Sequence, residues 1–133
     1  MKTIDLACVI DDDKIYSFGI KKLMSITNFC KEVISFVNGK EALDYLVPLV
    51  DDPQALPDVI LLDLNMPIID GWQFLDEFVQ YKLAKEVTIY IVSSSIDVAD
   101  YDKAASYSVI SNFYVKPVRT ADLHEMMADF GRN

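Results

Sequence analysis

The sequence predicts an α/β fold, namely a doubly wound parallel sheet of five strands with helices on both faces, which makes three layers. Five short apolar segments alternate strictly with five segments of helical periodicity, a pattern typical of parallel strands joined by crossover helices. The 133 residues suit one compact domain, and a hydrophobic fraction of 52% is sufficient for its core. We expect a single domain over 1–133 with a core of about 4–130. The predicted strands are 4–10, 33–36, 59–62, 88–92 and 113–115, and the predicted helices are 14–27, 40–47, 71–81, 97–107 and 120–130.

The first half of the chain supplies two strands and two helices. The first strand is rich in Ile, Leu and Val, and the first helix carries apolar residues three and four positions apart. Asn38 and Gly39 break the second strand, after which the second helix has one apolar side. Pro48, Pro53 and Pro57 then indicate a loop before the third strand.

The second half continues the alternation. The third strand is the most uniformly apolar, and the third helix has Trp72 and Leu75 in its apolar set. Asp97 is expected to cap the fourth helix. Thr120 is expected to cap the last helix and Gly131 to end it, because glycine commonly follows the last helical residue.

Composition and charge exclude several classes of protein. A formal net charge of −9 makes nucleic acid a poor partner. No stretch approaches the roughly 20 apolar residues of a membrane span, and acids follow the N-terminus too soon for a secretory signal. We therefore expect a cytoplasmic protein. Cys8 and Cys30 lie in apolar contexts without metal-like spacing, so we expect two buried thiols and no disulfide.

Polar residues directly follow four of the five predicted strands. In open parallel sheets the ligand site lies beyond the carboxyl ends of the strands, so these side chains should converge. Two like charges about 4 Å apart repel by roughly 4 kcal/mol at an effective dielectric near 20. Such a cluster therefore indicates chemistry. Its members are Asp11, Asp12, Asp63, Ser93, Ser94 and Lys116.

This set of side chains favours phosphoryl transfer. Clustered carboxylates without His or Cys suit a hard cation such as Mg²⁺, and a backbone carbonyl such as that of Asn65 could complete its coordination. The ammonium of Lys116 and the hydroxyl of Ser93 suit phosphoryl oxygens. Asp63 is the candidate nucleophile, since phosphoryl transfer mainly requires positioning and charge stabilisation.

Four motifs together resemble the receiver domain of two-component response regulators. They are Val9-Ile10-Asp11-Asp12, Ile60-Leu61-Leu62-Asp63-Leu64-Asn65-Met66-Pro67 with Gly71, Ser93-Ser94, and Lys116-Pro117. The resemblance covers about 4–130 and implies a flavodoxin-like, CheY-like fold with the strand order 2-1-3-4-5. That order is a known property of the family, and the apolar pattern alone does not specify it.

The resemblance implies a role for each acidic position. Asp63 would accept a phosphoryl group from a phosphohistidine. Asp12 would bind Mg²⁺ (or Mn²⁺) directly, and Asp11 would act mostly through water. Asp63 and the main-chain carbonyl of Asn65 would complete the ligands of the metal.

The resemblance also implies roles for the remaining motif residues. Lys116 and Ser93 would contact the phosphoryl group, and Ser93 would form a conformational switch with the aromatic Phe113. The structural positions are Ser94, which must stay small, Gly71, and Pro117, whose peptide bond is cis in this family.

The partners implied by the resemblance are proteins. A sensor histidine kinase or a histidine phosphotransfer protein would supply the phosphoryl group. A downstream target would bind the face formed by the fourth helix, fifth strand and fifth helix. The protein would be cytoplasmic and bacterial, a monomer or a weak phosphorylation-dependent dimer, and would bind neither nucleic acid nor membrane. It would catalyse only its own phosphorylation and dephosphorylation, so it would not be a conventional enzyme.

Simpler explanations exist for several of these residues. Asp11 and Asp12 could merely stabilise the N-terminus of the first helix, although Asp63 and Lys116 in matching positions argue against this. Asp13 is expected to cap that helix rather than bind metal. His124, the only histidine, is expected at the surface, away from the acids.

Three other functions were weighed against a phosphorylated receiver. A Mg²⁺-dependent phosphatase with an aspartyl nucleophile generally has a second aspartate two residues later, where this chain has Asn65. A nucleotide- or flavin-binding module lacks support, because no glycine-rich loop follows the first strand. A receiver-like interaction domain that works without phosphorylation would not need the complete set of acids, hydroxyl and lysine.

Overall fold

The computed structural model describes residues 2–132 and contains one sheet of five parallel strands. Neighbouring strands follow the order β2-β1-β3-β4-β5, so the expected fold class and strand order are confirmed. The register pairs Val9 with Ser35 on one side and with Leu61 on the other. The strands are β1 (Leu6–Ile10), β2 (Glu32–Phe36), β3 (Val59–Leu62), β4 (Thr88–Ser93) and β5 (Ile110–Val115).

Helices cover both faces of the sheet because alternate strand residues point to opposite sides. Ala7, Val9 and Leu61 belong to a core cluster shared with α1 and α5, whereas Cys8 and Ile60 belong to a cluster shared with α2 and α3. The helices are α1 (Lys14–Thr27), α2 (Gly39–Leu46), α3 (Gly71–Phe78), α4 (Val98–Ala104) and α5 (Thr120–Arg132), and a short 3-10 helix spans Val47–Leu49.

All ten predicted elements are present, but several ends differ from the prediction. β1 begins at Leu6 rather than at residue 4, because the side chain of Asp58 accepts hydrogen bonds from the backbone N–H groups of Asp5 and Leu6. α3 ends at Phe78 and α4 at Ala104, each three residues before the predicted end. Thr120 is the first residue of α5 and not its cap, and Gly131 does not end this helix, which continues to Arg132.

Aspartate side chains cap two of the helices, as the sequence predicts. Asp13 precedes α1 and accepts a hydrogen bond from the Tyr16 N–H at 3.0 Å, so the prediction that Asp13 caps this helix is confirmed. Asp97 caps α4 in a reciprocal pair with Asp100. Such caps satisfy backbone N–H groups that have no partner inside the helix.

The cysteine and histidine predictions are confirmed only in part. Both thiols are free, but Cys30 is half-buried where a buried thiol was expected. His124 is exposed on α5, as expected. Among residues 2–132, no helix is both long enough and apolar enough to cross a membrane.

Candidate functional site

The backbone hydrogen bonds of the sheet continue for one residue beyond several strands. They fix the positions of the polar residues that follow those strands. The Asp11 N–H donates to the Phe36 carbonyl at 3.0 Å, and the Asp63 N–H donates to the Ile10 carbonyl at the same distance. The Lys116 N–H donates to the Ser93 carbonyl at 2.9 Å. Each residue is therefore fixed at the carboxyl edge of the sheet by the strand beside it.

Three carboxylates meet at this edge. One oxygen from each of Asp11, Asp12 and Asp63 lies within 4.8 Å of the others. Asp11 and Asp63 are only 2% and 6% exposed, whereas Asp12 is exposed to solvent. Two of the three acids are thus held at the rim of the core, where a charged carboxylate is poorly solvated.

Lys116 lies between the two buried acids. Its Nζ atom is 2.6 Å from Oδ2 of Asp11 and 3.7 Å from Oδ2 of Asp63. The lysine side chain is 16% exposed, so the contacts are largely screened from water. In this arrangement the ammonium makes a hydrogen-bonded ion pair with Asp11 and a longer electrostatic contact with Asp63.

Burial and repulsion shift the protonation of these acids. Burial, and then the charge of Asp11, raise the pKa of Asp63 from 3.8 to about 6, although Lys116 acts in the opposite direction. Burial also raises the pKa of Asp11, and the hydrogen bond from Lys116 opposes that shift. One lysine therefore does not compensate the buried negative charge, and a further cation would stabilise the ionised cluster.

Two backbone N–H groups orient the carboxylates. Oδ1 of Asp11 accepts from the Asp13 N–H at 2.9 Å, and Oδ1 of Asp63 accepts from the Asn65 N–H at 3.4 Å. The Asn65 side chain is exposed. The loop after each strand therefore turns back onto its own acid, which leaves the other carboxylate oxygen, Oδ2, directed at Lys116.

Gly71 allows the chain to return close to Asp63. Its N–H donates to the Leu64 carbonyl at 3.0 Å. A Cβ atom at this position would lie 2.5 Å from the Asp63 carbonyl oxygen and 2.9 Å from the Leu64 Cα. Backbone atoms would have to move for any larger residue, so the first turn of α3 packs directly against the backbone of Asp63 and Leu64.

Ser93 and Phe113 lie near this edge, and the Ser93 hydroxyl makes no hydrogen bond with the acids. Ser93 is fully buried, and its hydroxyl donates to the Ser95 carbonyl at 3.3 Å. Phe113 is half-buried on β5, with its ring centroid 4.5 Å from that of Tyr101 on α4. Ser94 is exposed, and the peptide bond between Lys116 and Pro117 is cis.

Tyr16 also belongs to the site, although no motif in the sequence indicates it. Its ring centroid lies 4.3 Å from Nζ of Lys116. The signal for it would have been its position one turn after Asp12, on the same helix that the acids precede. An apolar spacing pattern could not reveal this, because tyrosines at such positions usually serve the core.

The donor set fits a hard divalent cation. The convergent groups are carboxylate oxygens, with neither sulfur nor imidazole among the clustered side chains of residues 2–132. Oxygen ligands of this kind suit Mg²⁺ or Mn²⁺. The unfavourable burial of two acids with one lysine is the property that a bound cation would relieve.

Comparisons with known proteins agree with this geometry. The family model described as the response regulator receiver domain matches residues 7–128. A two-component response regulator structure from Cytophaga hutchinsonii superposes with a TM-score of 0.88 and 27% identity, covering 99% of this chain and all of that one. The family and its fold are thus shown over nearly the whole chain.

Two curated relatives extend the comparison. The probable methanogenesis regulatory protein FilR2 of Methanothrix harundinacea (strain 6Ac) is 25% identical over 115 residues, which is 86% of this chain and 74% of that protein. Two-component response regulator ARR3 of Arabidopsis thaliana is 29% identical over 130 residues, 93% of this chain. The chain spans 54% of the length of ARR3. Since ARR3 is a plant protein, family membership does not establish the expected bacterial source.

Sequence match, shared fold and a carboxylate cluster beside a lysine lead to one conclusion: the chain belongs to the response regulator receiver domain family of two-component systems.

Proposed function

We propose that this receiver domain accepts a phosphoryl group on Asp63 from the phosphohistidine of a sensor histidine kinase or a histidine phosphotransfer protein. The observation that carries the proposal is the convergence at Asp63, where two further carboxylates lie within 4.8 Å and an ammonium lies 3.7 Å away. A carboxylate in such surroundings is a nucleophile next to groups that hold a phosphoryl dianion.

In the proposed step, a carboxylate oxygen of Asp63 attacks the phosphorus atom. The bond between phosphorus and the imidazole nitrogen of the donor breaks, and that nitrogen keeps the electron pair and can take up a proton. The new acyl phosphate adds negative charge beside Asp11. Hydrolysis of the acyl phosphate by water returns Asp63 and inorganic phosphate.

Different residues of the chain would bind the metal ion and the phosphoryl group. Asp11, Asp12 and Asp63, with the main-chain carbonyl of Asn65, would hold Mg²⁺, and the ion would supply charge neutralisation for the phosphoryl oxygens. Lys116 would shift its contact from Asp11 towards the new oxygens. Since Lys116 already lies between the two acids, the shift requires only a small movement of its Nζ atom.

The phosphoryl group would then act through Ser93 and Phe113. To donate to a phosphoryl oxygen, the Ser93 hydroxyl must leave the Ser95 carbonyl, a bond that is long at 3.3 Å. Phe113 would move into the space vacated by this rearrangement and leave its contact with Tyr101, which changes the face formed by α4, β5 and α5. A downstream protein, in the cytoplasm by this proposal, would recognise that face.

The phosphoryl group must strongly favour the active state over the inactive one. Moving a two-state equilibrium from 1:99 to 99:1 requires about 5.5 kcal/mol of preference for the active state. Charge-assisted hydrogen bonds contribute roughly 1.5–3 kcal/mol each. New contacts from Lys116 and Ser93, together with a bound cation, are therefore of the right magnitude to drive the switch.

Incubation with a small phosphoryl donor such as acetyl phosphate tests the acceptor role. Intact mass should increase by one phosphoryl group in the presence of Mg²⁺ and not after chelation. Asp63→Asn should remain unmodified, whereas Asp44→Asn, which removes an exposed acid on α2, should react like the native chain. Modification of Asp63→Asn to the native level, or continuous turnover of phosphomonoesters in place of a single modification, would contradict the proposal.

Beryllofluoride, a phosphoryl mimic, tests the switch separately. Trp72 lies in α3 and stacks on Tyr107, which follows α4, with 5.7 Å between the ring centroids. Beryllofluoride with Mg²⁺ should change Trp72 fluorescence in the native protein and leave Asp63→Asn unchanged. If both proteins stay silent while the native chain is still phosphorylated, the acceptor role stands and the switch is wrong.

A further inference from the structure

The Lys116 ammonium contacts an aromatic ring as well as two carboxylates. Tyr16, the third residue of α1, presents its ring with the centroid 4.3 Å from Nζ. The cap bond from the Tyr16 N–H to Asp13 fixes the backbone of this residue within the turn that follows Asp11 and Asp12. The ring, Asp11 and Asp63 therefore surround the lysine nitrogen.

An aromatic face restrains an ammonium differently from a carboxylate. A carboxylate attracts it to one oxygen, whereas a ring attracts it over an area and keeps water away from that side. Lysine has a flexible four-carbon stem, so its nitrogen needs such restraint if it is to stay in the site. Over the ring of Tyr16, Lys116 can move from Asp11 towards a group on Asp63 without leaving the site.

The hydroxyl of Tyr16 provides an independent observation. It is buried and has no hydrogen-bond partner among the described residues. Most buried hydroxyls do have one, because an unmade hydrogen bond is unfavourable. Burial, then the charges of Asp11 and Asp63, raise the pKa of Tyr16, so the hydroxyl remains a donor within electrostatic range of both acids. A phosphoryl group on Asp63 would bring additional acceptor oxygens to this region.

We propose that Tyr16 is a positioning residue for Lys116, holding its ammonium through the ring, and that the Tyr16 hydroxyl donates a hydrogen bond within the site once Asp63 is phosphorylated. The inference rests on the proposed function, because it requires a phosphoryl group at Asp63. It goes beyond that function by giving α1 a direct part in binding the group.

A purely structural role for Tyr16 makes a different prediction. The ring packs against the core that α1 shares with α5, so a large substitution there affects folding as well. If packing were the whole role, Phe and Met would both be tolerated in proportion to their effect on stability. The proposal instead predicts that loss of the aromatic ring and loss of the hydroxyl have different effects.

The test compares Tyr16→Phe with Tyr16→Met by two readouts. One is the rate of phosphorylation by acetyl phosphate with Mg²⁺, and the other is the affinity for beryllofluoride. Tyr16→Met, which fills space without an aromatic face, should slow phosphorylation about tenfold. Tyr16→Phe should restore the rate to within about threefold but bind beryllofluoride about fivefold more weakly, since only one hydrogen bond is lost. Urea unfolding monitors the stability of each variant.

A double-mutant cycle separates positioning from packing. In a Lys116→Met background, Tyr16→Met should cause no further loss of rate, because the group that it positions is already gone. Phe18→Met is the matched control, since Phe18 lies under Lys22 on the exposed side of the same helix, 5.3 Å from centroid to Nζ. It should leave both readouts unchanged. If Tyr16→Met does not fold, Tyr16→Leu replaces it.

The outcomes distinguish this inference from the proposed function. A native protein that neither reacts nor binds beryllofluoride contradicts the function itself. With a responsive native protein, equal rates for Tyr16→Met and the native chain overturn the positioning role, as does full additivity with Lys116→Met. Native beryllofluoride affinity in Tyr16→Phe overturns the role of the hydroxyl.

Discussion

The Nζ atom of Lys116 lies 2.6 Å from Oδ2 of Asp11, so the lysine that follows β5 pairs with the acid that follows β1, across the ends of β3 and β4. Asp63 lies at the end of β3, between them, and receives only the longer contact of 3.7 Å. The lysine therefore contacts Asp11 more directly, while burial and the charge of Asp11 keep the pKa of Asp63 raised. Phosphorylation of Asp63 would move the main contact of the lysine from Asp11 to the group on Asp63.

Replacing Lys116 should make stability strongly dependent on pH. Lys116→Met removes the only ammonium in contact with two buried acids among the described residues, and breaking a buried ion pair costs about 3–5 kcal/mol. We expect a loss of about 3 kcal/mol at pH 7.5 in chelator and a smaller loss at about pH 5, where Asp63 with its pKa of about 6 is largely protonated. Urea unfolding at the two pH values measures both losses.

The control for this experiment is a second buried pair far from the site. Lys85 contacts Asp58 at 2.8 Å, and its hydrogen bond helps to lower the pKa of that carboxyl even though burial opposes the shift. Asp58 remains ionised at pH 5 in the native protein, so the loss caused by Lys85→Met should shrink less between pH 7.5 and 5 than the loss caused by Lys116→Met. Equal behaviour of the two variants would contradict the account of Lys116.

Removing the charge of Asp63 should stabilise the metal-free protein at neutral pH. Because the folded pKa of about 6 lies above the ordinary value of 3.8, the folded state holds the proton more tightly than the unfolded state. Stability contributed by the protonated group is therefore lost as pH rises from about 4 through 6. Asp63→Asn should match the native protein near pH 4 and exceed it by about 2–3 kcal/mol at pH 7.5 in chelator.

Mg²⁺ should reverse this difference. A cation that binds the ionised cluster stabilises the native chain by mass action, and it does so less for Asp63→Asn, which has lost a ligand. Thermal unfolding with Mg²⁺ and with chelator at pH 7.5 measures the effect. An equal shift in the two proteins would show that the ion binds elsewhere.

Gly71→Ala should destabilise the protein even though alanine favours helices. Its Cβ would lie 2.5 Å from the Asp63 carbonyl oxygen, and overpacking of this kind costs about 1–3 kcal/mol. Gly19→Ala is the matched control, because Gly19 lies in α1 and a Cβ there would have no neighbour within 4 Å. That change should instead stabilise by about 0.5–1 kcal/mol. Urea unfolding of both variants decides, and a stabilised Gly71→Ala would contradict the close approach.

Ile68→Asn should stabilise the loop that follows Asp63. Ile68 has φ of 69°, in the left-handed region that β-branched residues avoid, and its side chain is 72% exposed. Asparagine tolerates this backbone better, and the conformation costs an ordinary residue about 1–2 kcal/mol. We expect a gain of about 1 kcal/mol in the free energy of unfolding. Ile26→Asn, at a similarly exposed helical residue, should show no gain. The same gain in both variants would show that the effect comes from replacing an exposed apolar side chain and not from the backbone of Ile68.

The sequence predicted the framework of the fold because its signals are local. Buried parallel strands are short apolar runs such as that of β3, and helices begin at capping residues such as Asp13 and Asp97. β5 was predicted to start at residue 113 but starts at Ile110. This edge strand has exposed polar residues at Ser111 and Asn112, which have no apolar pattern to reveal them.

The candidate site was predictable for the residues that end strands and unpredictable for those that depend on packing. Asp11 and Lys116 follow strands, so topology alone brings them together. The contact between Tyr16 and Lys116 depends on side-chain conformation across two elements. The Ser93 hydroxyl is directed at the Ser95 carbonyl and not at the acids, and such a direction has no signature in a sequence.

Tyr101→Leu should loosen α4 without unfolding the domain. Ala104 is the one buried residue of this helix, and the Tyr101 ring lies 4.5 Å from Phe113, so this contact is a main attachment of α4 to β5. Amide hydrogen exchange in 98–104 should accelerate about tenfold, while the free energy of unfolding changes by less than about 1 kcal/mol, because local opening is separate from global unfolding. Val98→Ala, at a residue 75% exposed on the same helix, is the control and should leave exchange unchanged. The same variant should bind beryllofluoride more tightly than the native protein. The active state proposed for the switch lacks the contact between Tyr101 and Phe113, so removing this contact destabilises only the inactive state. Weaker binding would show that the contact stabilises the active state, which would reverse the direction of the proposed switch.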